Sequence, residues 1–372
     1  MGGIFTARKA WLVSMKTVQA SDLKPGMIAA SDIMSPSGQR IFNKGTVLTE
    51  QLIMRLSFYR ITSVAVEDPE TKAPEKTTPT MSPAFAQKLK STQQSQNFQV
   101  DHSLVCHSIK ENFEAYVNRN VAPDTEALLN SVISLFNTCR TSRDVFDMLF
   151  GMRSSGEETY SHSLNVALIC RQFGKWLKVS DEELRELTLC GLYHDIGKLK
   201  VPSEILNKPD KFTDEEYNTV KMHTQYGYEL LASLSLPETV KISALSHHER
   251  CDGSGYPLGL REVNGCAMVV AIADVYDAMT AARSYRAPLC AFQVIDKFEQ
   301  EGLQKYTPKY ILTFLSHIAS TYQNNRILLS DGRSGKIVML NEKALSRPIV
   351  QLNDSSCIDL ATQRDIYIKA LI

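Results

Sequence analysis

The chain has no net formal charge, because 41 Lys and Arg balance 41 Asp and Glu. Nothing global therefore draws it onto a nucleic-acid polymer or an anionic membrane, although a local basic pocket for a small anion stays open. No run approaches the ~20 apolar residues that a membrane-spanning helix needs. The eight cysteines (Cys106, Cys139, Cys170, Cys190, Cys251, Cys266, Cys290 and Cys357) include no C-x-x-C pair. Several sit in apolar contexts, where a thiol behaves as a small hydrophobe. They read as reduced, which places the chain in the cytoplasm. The opening MGGIFTARKAWLVSMK lacks the apolar core of an export signal. Its first six residues spell a myristoylation-like start, and Met15 is an equally good initiator. Residues 1–16 thus read as a leader outside the folded chain, or as a non-native extension.

What is present is a segmental pattern. Residues 17–68 read as a small α+β accessory module. Turns at Lys24-Pro25-Gly26-Met27 and Ser35-Pro36-Ser37-Gly38 separate apolar segments, Arg40-Ile41-Phe42 is strand-like, and Ile61 to Val66 closes the module. Thr49-Glu50 opens an amphipathic helix through Leu52, Ile53, Leu56 and Tyr59. Residues 69–102 read as a linker, rich in Pro, Thr, Lys and Gln over 69–96. From 103 to 322 the periodicity is helical, with capping boxes at Ser180–Glu183 and Thr213–Glu216. Residues 323–372 change to short strands and turns, a β appendage. The predicted class is mainly α: a helical bundle with a small N-terminal α+β module and a short C-terminal β appendage.

Five of the eight histidines fall in one segment of that bundle: His162, His194, His223 and the doublet His247-His248. His194 is followed at once by Asp195, and Asp274 ends the apolar run Met268 to Ala273. Glu158 is four residues before His162, hence on the same helix face. Lys198 is four residues after His194, which predicts that it projects onto the His194 face. One histidine on a helix is ordinarily a hydrogen-bonded core or surface group, and His102, His107 and His317 are read that way. Several histidines and two aspartates together are different, because burying them without a cation leaves each polar group short of a partner. Imidazole and carboxylate suit zinc, iron, manganese and similar ions, and a carboxylate can bridge two of them.

The order H … HD … H … HH … D resembles the HD phosphohydrolase superfamily. His247-His248-Glu249-Arg250-Cys251-Asp252-Gly253-Ser254-Gly255-Tyr256-Pro257 is similar to the HHE-x-x-DG-x-GYP signature of its HD-GYP family. Ile272-Ala273-Asp274-Val275-Tyr276-Asp277-Ala278-Met279-Thr280, with Arg283, Tyr285 and Arg286 after it, extends the resemblance over roughly 145–320. The resemblance implies a helical bundle holding two or three divalent ions, iron or manganese being favoured. It implies His162, His194, Asp195, His223, His247, His248 and Asp274 as ligands, with Glu158 as the extra carboxylate of a three-metal cluster. Lys198 would contact the scissile phosphate. Asp277, Arg283 and Arg286 would line the nucleotide pocket, and Gly255, Tyr256 and Pro257 would shape its entrance. Separately from the resemblance, the proline after Tyr256 restricts it to extended geometry, which could present its ring outward.

The implied activity is hydrolysis of cyclic di-GMP to pGpG, and onward to GMP, by a metal-activated hydroxide assisted by Asp195 and Lys198. Two alternatives stay open: an HD hydrolase of another cyclic dinucleotide, such as the mixed GMP–AMP molecule, and a nucleotide-binding scaffold with little turnover. Protein partners would meet the GYP loop or the N-terminal module, and segment 103–150 could pair with a copy of itself as a homodimer.

Overall fold

The computed structural model describes residues 15–24, 26–34, 40–42, 46, 48, 53, 56, 61–67, 92–151, 158–208, 211–280 and 288–372. The chain divides into two compact units, Met1–Thr78 and Pro79–Ile372.

In the first unit, strands β1 (Met15–Gln19), β2 (Ile33–Met34), β3 (Arg40–Phe42) and β4 (Ser63–Glu67) form two antiparallel pairs, β1 with β4 and β2 with β3. Val64 and Val66 point inward from β4 and join Leu23, Ala29, Ile33, Leu48, Leu56 and Ile61 in a small core. The period of two is what puts alternate residues of β4 on that face. The expected Lys24–Met27 turn is present, closed by the Met27 amide donating to the Lys24 carbonyl at 3.2 Å. Of the expected helix from Thr49, Ile53 and Leu56 are helical. The rest of that helix, the Ser35–Gly38 turn and most of the linker lie outside the described residues.

The second unit is mainly α. Helix α1 (Gln93–Arg119) starts ten residues before the expected Ser103, with the Thr92 hydroxyl accepting from the Ser95 amide as its cap. The polar run Gln93-Gln94-Ser95-Gln96 resembles linker in composition. It is helical because Ser95, Phe98, His102, Cys106, Ile109, Phe113 and Tyr116 recur every three or four residues and are buried together. Then follow α2 (Thr125–Asn137), α3 (Ser142–Gly151), α4 (Glu158–Leu177) and α5 (Asp181–Tyr193), the last opened by the predicted Ser180–Glu183 capping box. A 3-10 turn (Ile196–Lys200) and the short α6 (Ser203–Leu206) lead to α7 (Asp214–Lys221), which carries the second capping box. The bundle is completed by α8 (His223–Ala232), α9 (Glu238–Ser246), α10 (Gly265–Thr280), α11 (Ala291–Glu301) and α12 (Pro308–Thr321).

Helix α10 is the axis of this unit. Ala267 through Ala273 are each at most 1% exposed, which requires neighbours on every side. Met268, Val269, Val270 and Ile272 contribute about 1.5–3 kcal/mol each on burial, as an upper bound. A carboxylate at Asp274, one residue beyond this run, is thereby held at a fixed height in the bundle.

The appendage is a five-stranded antiparallel sheet of β5 (Arg326–Leu329), β6 (Ser334–Met339), β7 (Ile349–Leu352), β8 (Cys357–Asp359) and β9 (Ile368–Leu371), in the order β8-β7-β6-β5-β9. Ile327, Leu329, Ile337, Val350, Ile358 and Ile368 face inward and share one core with the helices. Among the described residues, no helix is long and apolar enough to cross a membrane.

Candidate metal centre

Three helix ends deliver the histidines. Helix α5 stops at Tyr193, and His194 and Asp195 follow in a turn. Helix α7 stops at Lys221 and α8 restarts with His223, so that histidine opens a new helix and does not belong to the one capped by Thr213. Helix α9 stops at Ser246, with His247 as its C-cap. The last carbonyls of a helix have no intrahelical donor. The imidazoles use them: Nδ1 lies 2.8 Å from Gly191 O for His194, 2.6 Å from Val220 O for His223, and 3.1 Å from Ser243 O and Ala244 O for His247. Each Nδ1 therefore carries the proton, and each Nε2 presents a lone pair to the interior.

Those lone pairs converge. Nε2 of His223 and Nε2 of His247 are 3.4 Å apart, and neither ring has a proton to offer the other. His194 Nε2 and Asp195 Oδ1 are buried without a hydrogen-bond partner. Two outer groupings, His223–His247–His248 and His162–His194–Asp274, are joined by a third, His194–Asp195–His247. Asp195 stands between them. Its Oδ1 is 3.4 Å from His223 Nε2 and 3.8 Å from His247 Nε2, whereas its Oδ2 is 3.3 Å from His194 Nε2 and 3.5 Å from His162 Nε2. His162 Nε2 also lies 3.0 Å from Asp274 Oδ1.

Burial, aided by neighbouring imidazoles, lowers the pKa of His247 well below its usual value, that of His223 to about 4 and that of His248 to about 3. These rings are neutral donors at neutral pH. Burial works against ionising Asp195 and Asp274, yet His194, Lys198 and His223 around the first, and His162 and His248 around the second, hold both carboxyls well below their usual range. For His162 burial favours the neutral ring, but Asp274 and Asp277 outweigh it and raise its pKa to about 10. A divalent ion held by His162 and Asp274 would take the place of that proton, since such donors bind metal deprotonated. Unpartnered Nε2 and carboxylate oxygen atoms, neutral imidazoles and a shared aspartate are a donor set that fits a pair of divalent ions.

Several expected residues are placed differently. Lys198 pairs with Asp195. Its Nζ is 2.5 Å from Asp195 Oδ2, because the chain tightens to a 3-10 turn after Asp195 and residues three apart come into line. Asp277 does not line an open nucleotide pocket. It is 3% exposed, with Oδ2 2.8 Å from His162 Nδ1, so it orients that ring. The Tyr256 ring does not turn outward but stacks on His248, with centroids 4.6 Å apart and planes 22° from parallel. Gly255 sits in the loop beside it, where a Cβ would fall 2.4 Å from Arg250 N and 2.5 Å from Glu249 Cα. Pro257 is exposed. Glu158 is the first residue of α4, but its side chain is not among those described; Arg283 and Arg286 also lie outside the described residues.

Sequence reasoning gave no role to Glu249. Its carboxylate is fully buried and accepts from the Leu258 amide at 2.6 Å and the Leu260 amide at 2.9 Å, which ties the loop to the histidine doublet. The signal was its place between the doublet and a glycine-rich loop that needs an anchor.

A helical bundle that brings H, HD, H, HH and D to one cluster around Asp195 is the arrangement of an HD domain, and residues 141–310 match the HD-domain family model. Within that domain, His247 to Pro257 carries the residues of the HD-GYP signature. A cyclic di-GMP phosphodiesterase of Pseudomonas aeruginosa is 34% identical over 207 residues, covering 55% of this chain and 50% of that protein. The 3'3'-cGAMP-specific phosphodiesterase 1 of Vibrio cholerae is 39% identical over 145 residues, covering 38% of this chain and 34% of that protein. The chain thus spans about half the length of the first relative and about a third of the second. A solved structure of an HDG"Y"P protein from Bdellovibrio bacteriovorus superposes with a TM-score of 0.50 at 15% identity, over 82% of this chain and 99% of that one. That likeness supports the fold.

Proposed function

We propose that the protein is a metal-dependent phosphodiesterase hydrolysing cyclic di-GMP to pGpG and onward to GMP, with iron or manganese as its ions. The observation that carries this reading is the convergence of four imidazoles, those of His162, His194, His223 and His247, on one shared carboxylate, Asp195, with His248 and a second carboxylate, Asp274, at the edge. Ligands would be His162, His194, Asp195 and Asp274 on one side and His223, His247, His248 and Asp195 on the other. Divalent ions held there supply Lewis acidity toward a phosphoryl oxygen and lower the pKa of a water.

The chain's own groups do the rest. His194, Asp195, His223 and His247 are at most 1% exposed and form a floor, whereas His162, His248 and Asp274 are partly exposed at its rim. An anion therefore meets the cluster from the rim. Lys198 reaches that side, with its side chain 26% exposed. Its ammonium, paired with Asp195, is within reach of a phosphate oxygen as charge develops there. Tyr256 covers one flank of His248 and shapes the approach together with the loop anchored by Glu249. Glu158 would supply a third metal position.

Hydrolysis of the mixed GMP–AMP cyclic dinucleotide is a second reading, supported by the 39% identity to the Vibrio cholerae enzyme. One experiment separates these readings: metal content and turnover on anaerobically purified protein, with both dinucleotides supplied and pGpG resolved from GMP. Cleavage with about three ions per chain places Glu158 among the ligands, and cleavage with two removes it. Bound metal and bound nucleotide without product would sink the enzyme reading in favour of a scaffold.

A further inference from the structure

Beyond the cluster, a file of buried polar side chains runs outward to α1. Asn165, one turn after His162 on α4, is 5% exposed, and His102 on α1 is 2% exposed. Asn165 Nδ2 is 3.2 Å from Asp277 Oδ1, and Asn165 Oδ1 is 2.9 Å from His102 Nε2. Cys106 Sγ, one turn further along α1, is 3.5 Å from His102 Nδ1. Asp277 Oδ2 meets His162 Nδ1 at 2.8 Å.

The chemistry of each group fixes the next. A carboxylate only accepts, so Asn165 must turn its NH2 to Asp277, which leaves its carbonyl for His102. His102 therefore donates from Nε2, and its bare Nδ1 accepts from the Cys106 thiol. Burial lowers the His102 pKa, in keeping with a neutral ring that donates on one side and accepts on the other. At the inner end Asp277 accepts from His162 Nδ1, which commits His162 Nε2 to the metal side. From Cys106 through Asn165 the donors point toward the cluster, and Asp277 accepts from both sides, from Asn165 and from His162.

Helix α1 is also tied to the bundle at two other points. Tyr160 of α4 donates to Glu114 at 3.0 Å, and Tyr116 donates to the Leu230 carbonyl of α8, the helix that begins with His223. The seating of α1 thus bears on both groupings of the cluster.

We propose that Asn165 and His102 are positioning residues for the metal centre. They lock Asp277, and through it the ring orientation and donor nitrogen of His162, so that the docking of α1 on α4 sets metal affinity at His162–His194–Asp274. The proposal rests on the metal-centre reading and goes beyond it, because neither residue touches a metal or substrate. A core hydrogen-bonded pair with no such role would stabilise the protein equally with and without metal.

The test is manganese(II) titration of the full chain against a competing chelator, alongside thermal unfolding of the metal-free form. Asn165→Leu should weaken the affected manganese site by about 10- to 100-fold, the usual cost of losing a group that orients a ligand. His102→Leu should weaken it less. His102→Gln, whose amide can still donate to Asn165 Oδ1, should restore most of the loss. Unchanged affinity in Asn165→Leu, with only the metal-free melting temperature lowered, would overturn the proposal. If that variant does not fold, the His102 pair decides: equal affinity in His102→Leu and His102→Gln overturns it, and rescue by Gln upholds it. Failure of the unaltered chain to bind manganese removes the metal-centre reading and this proposal together, an outcome distinct from a failure confined to the variants.

Discussion

The floor and the rim of the metal centre are built by opposite means. On the floor, His194, His223 and His247 are each oriented by a carbonyl three or four residues back, at the end of the preceding helix. Their geometry is local, and packing buries it completely. The rim is organised over longer reach: Glu249 holds amides 9 and 11 residues on, and His162 is set by Asp277, 115 residues away. A local device needs only a correctly ended helix, whereas a long-range one needs the whole bundle assembled. The floor should therefore fail all at once, and the rim by degrees.

The sharpest way to break the floor is Asp195→Ala, which removes the carboxylate that, among the described residues, faces both outer groupings. Bound metal, read by elemental analysis, should fall to near background, and turnover by at least about 1000-fold. Near-normal turnover in a metal-replete sample would refute the assignment. Next comes Gly197→Ala. A Cβ at Gly197 would lie 1.9 Å from the His223 carbonyl oxygen, so the turn after Asp195 and the start of α8 would have to separate. A loss of about 3 kcal/mol or more is expected, seen as a lower denaturation midpoint together with reduced metal content. A midpoint equal to that of the unaltered chain would mean that this close approach does not hold the floor.

Much of the floor was legible in the sequence because its determinants are local. An apolar helix that breaks into His-Asp, and another that breaks into His-His, announce ligands at helix ends, and the capping boxes before α5 and α7 set those helices. The pairing of Lys198 with Asp195 was not legible because the i, i+4 rule assumes an α-helix, and the turn from Ile196 to Lys200 is 3-10. The start of α1 was missed because glutamine-rich composition outweighed the spacing of Phe98, His102 and Cys106. At the rim, the partners of Asp277 and the stacking of Tyr256 depend on tertiary contacts that no local pattern encodes. The same is true of Asn165, whose two amide partners come from α1 and α10.

Two milder changes sharpen the comparison from the rim. Glu249→Ala strips the acceptor from the Leu258 and Leu260 amides and frees the loop without touching a ligand. Metal content should hold while KM for the cyclic dinucleotide rises about tenfold and kcat changes little, the pattern of lost ground-state binding. If metal content falls instead, the loop belongs to the floor and the division drawn above is wrong.

Tyr256 gives the smallest effect. Its ring stacks on His248, and the Lys221 ammonium lies 5.7 Å from the ring centre. Burial raises the phenol pKa, so the hydroxyl stays protonated and the ring acts through its face. Tyr256→Phe keeps that face and should leave kcat/KM within about twofold. Tyr256→Ala uncovers the His248 flank and gives up a stacked pair worth about 0.5–1.5 kcal/mol, a three- to tenfold loss in kcat/KM. The two variants divide ring from hydroxyl: a large loss in Tyr256→Phe would assign the phenol a direct contact with substrate. Equal and small losses in both would leave the flank of His248 without influence, and the rim would then begin at Glu249.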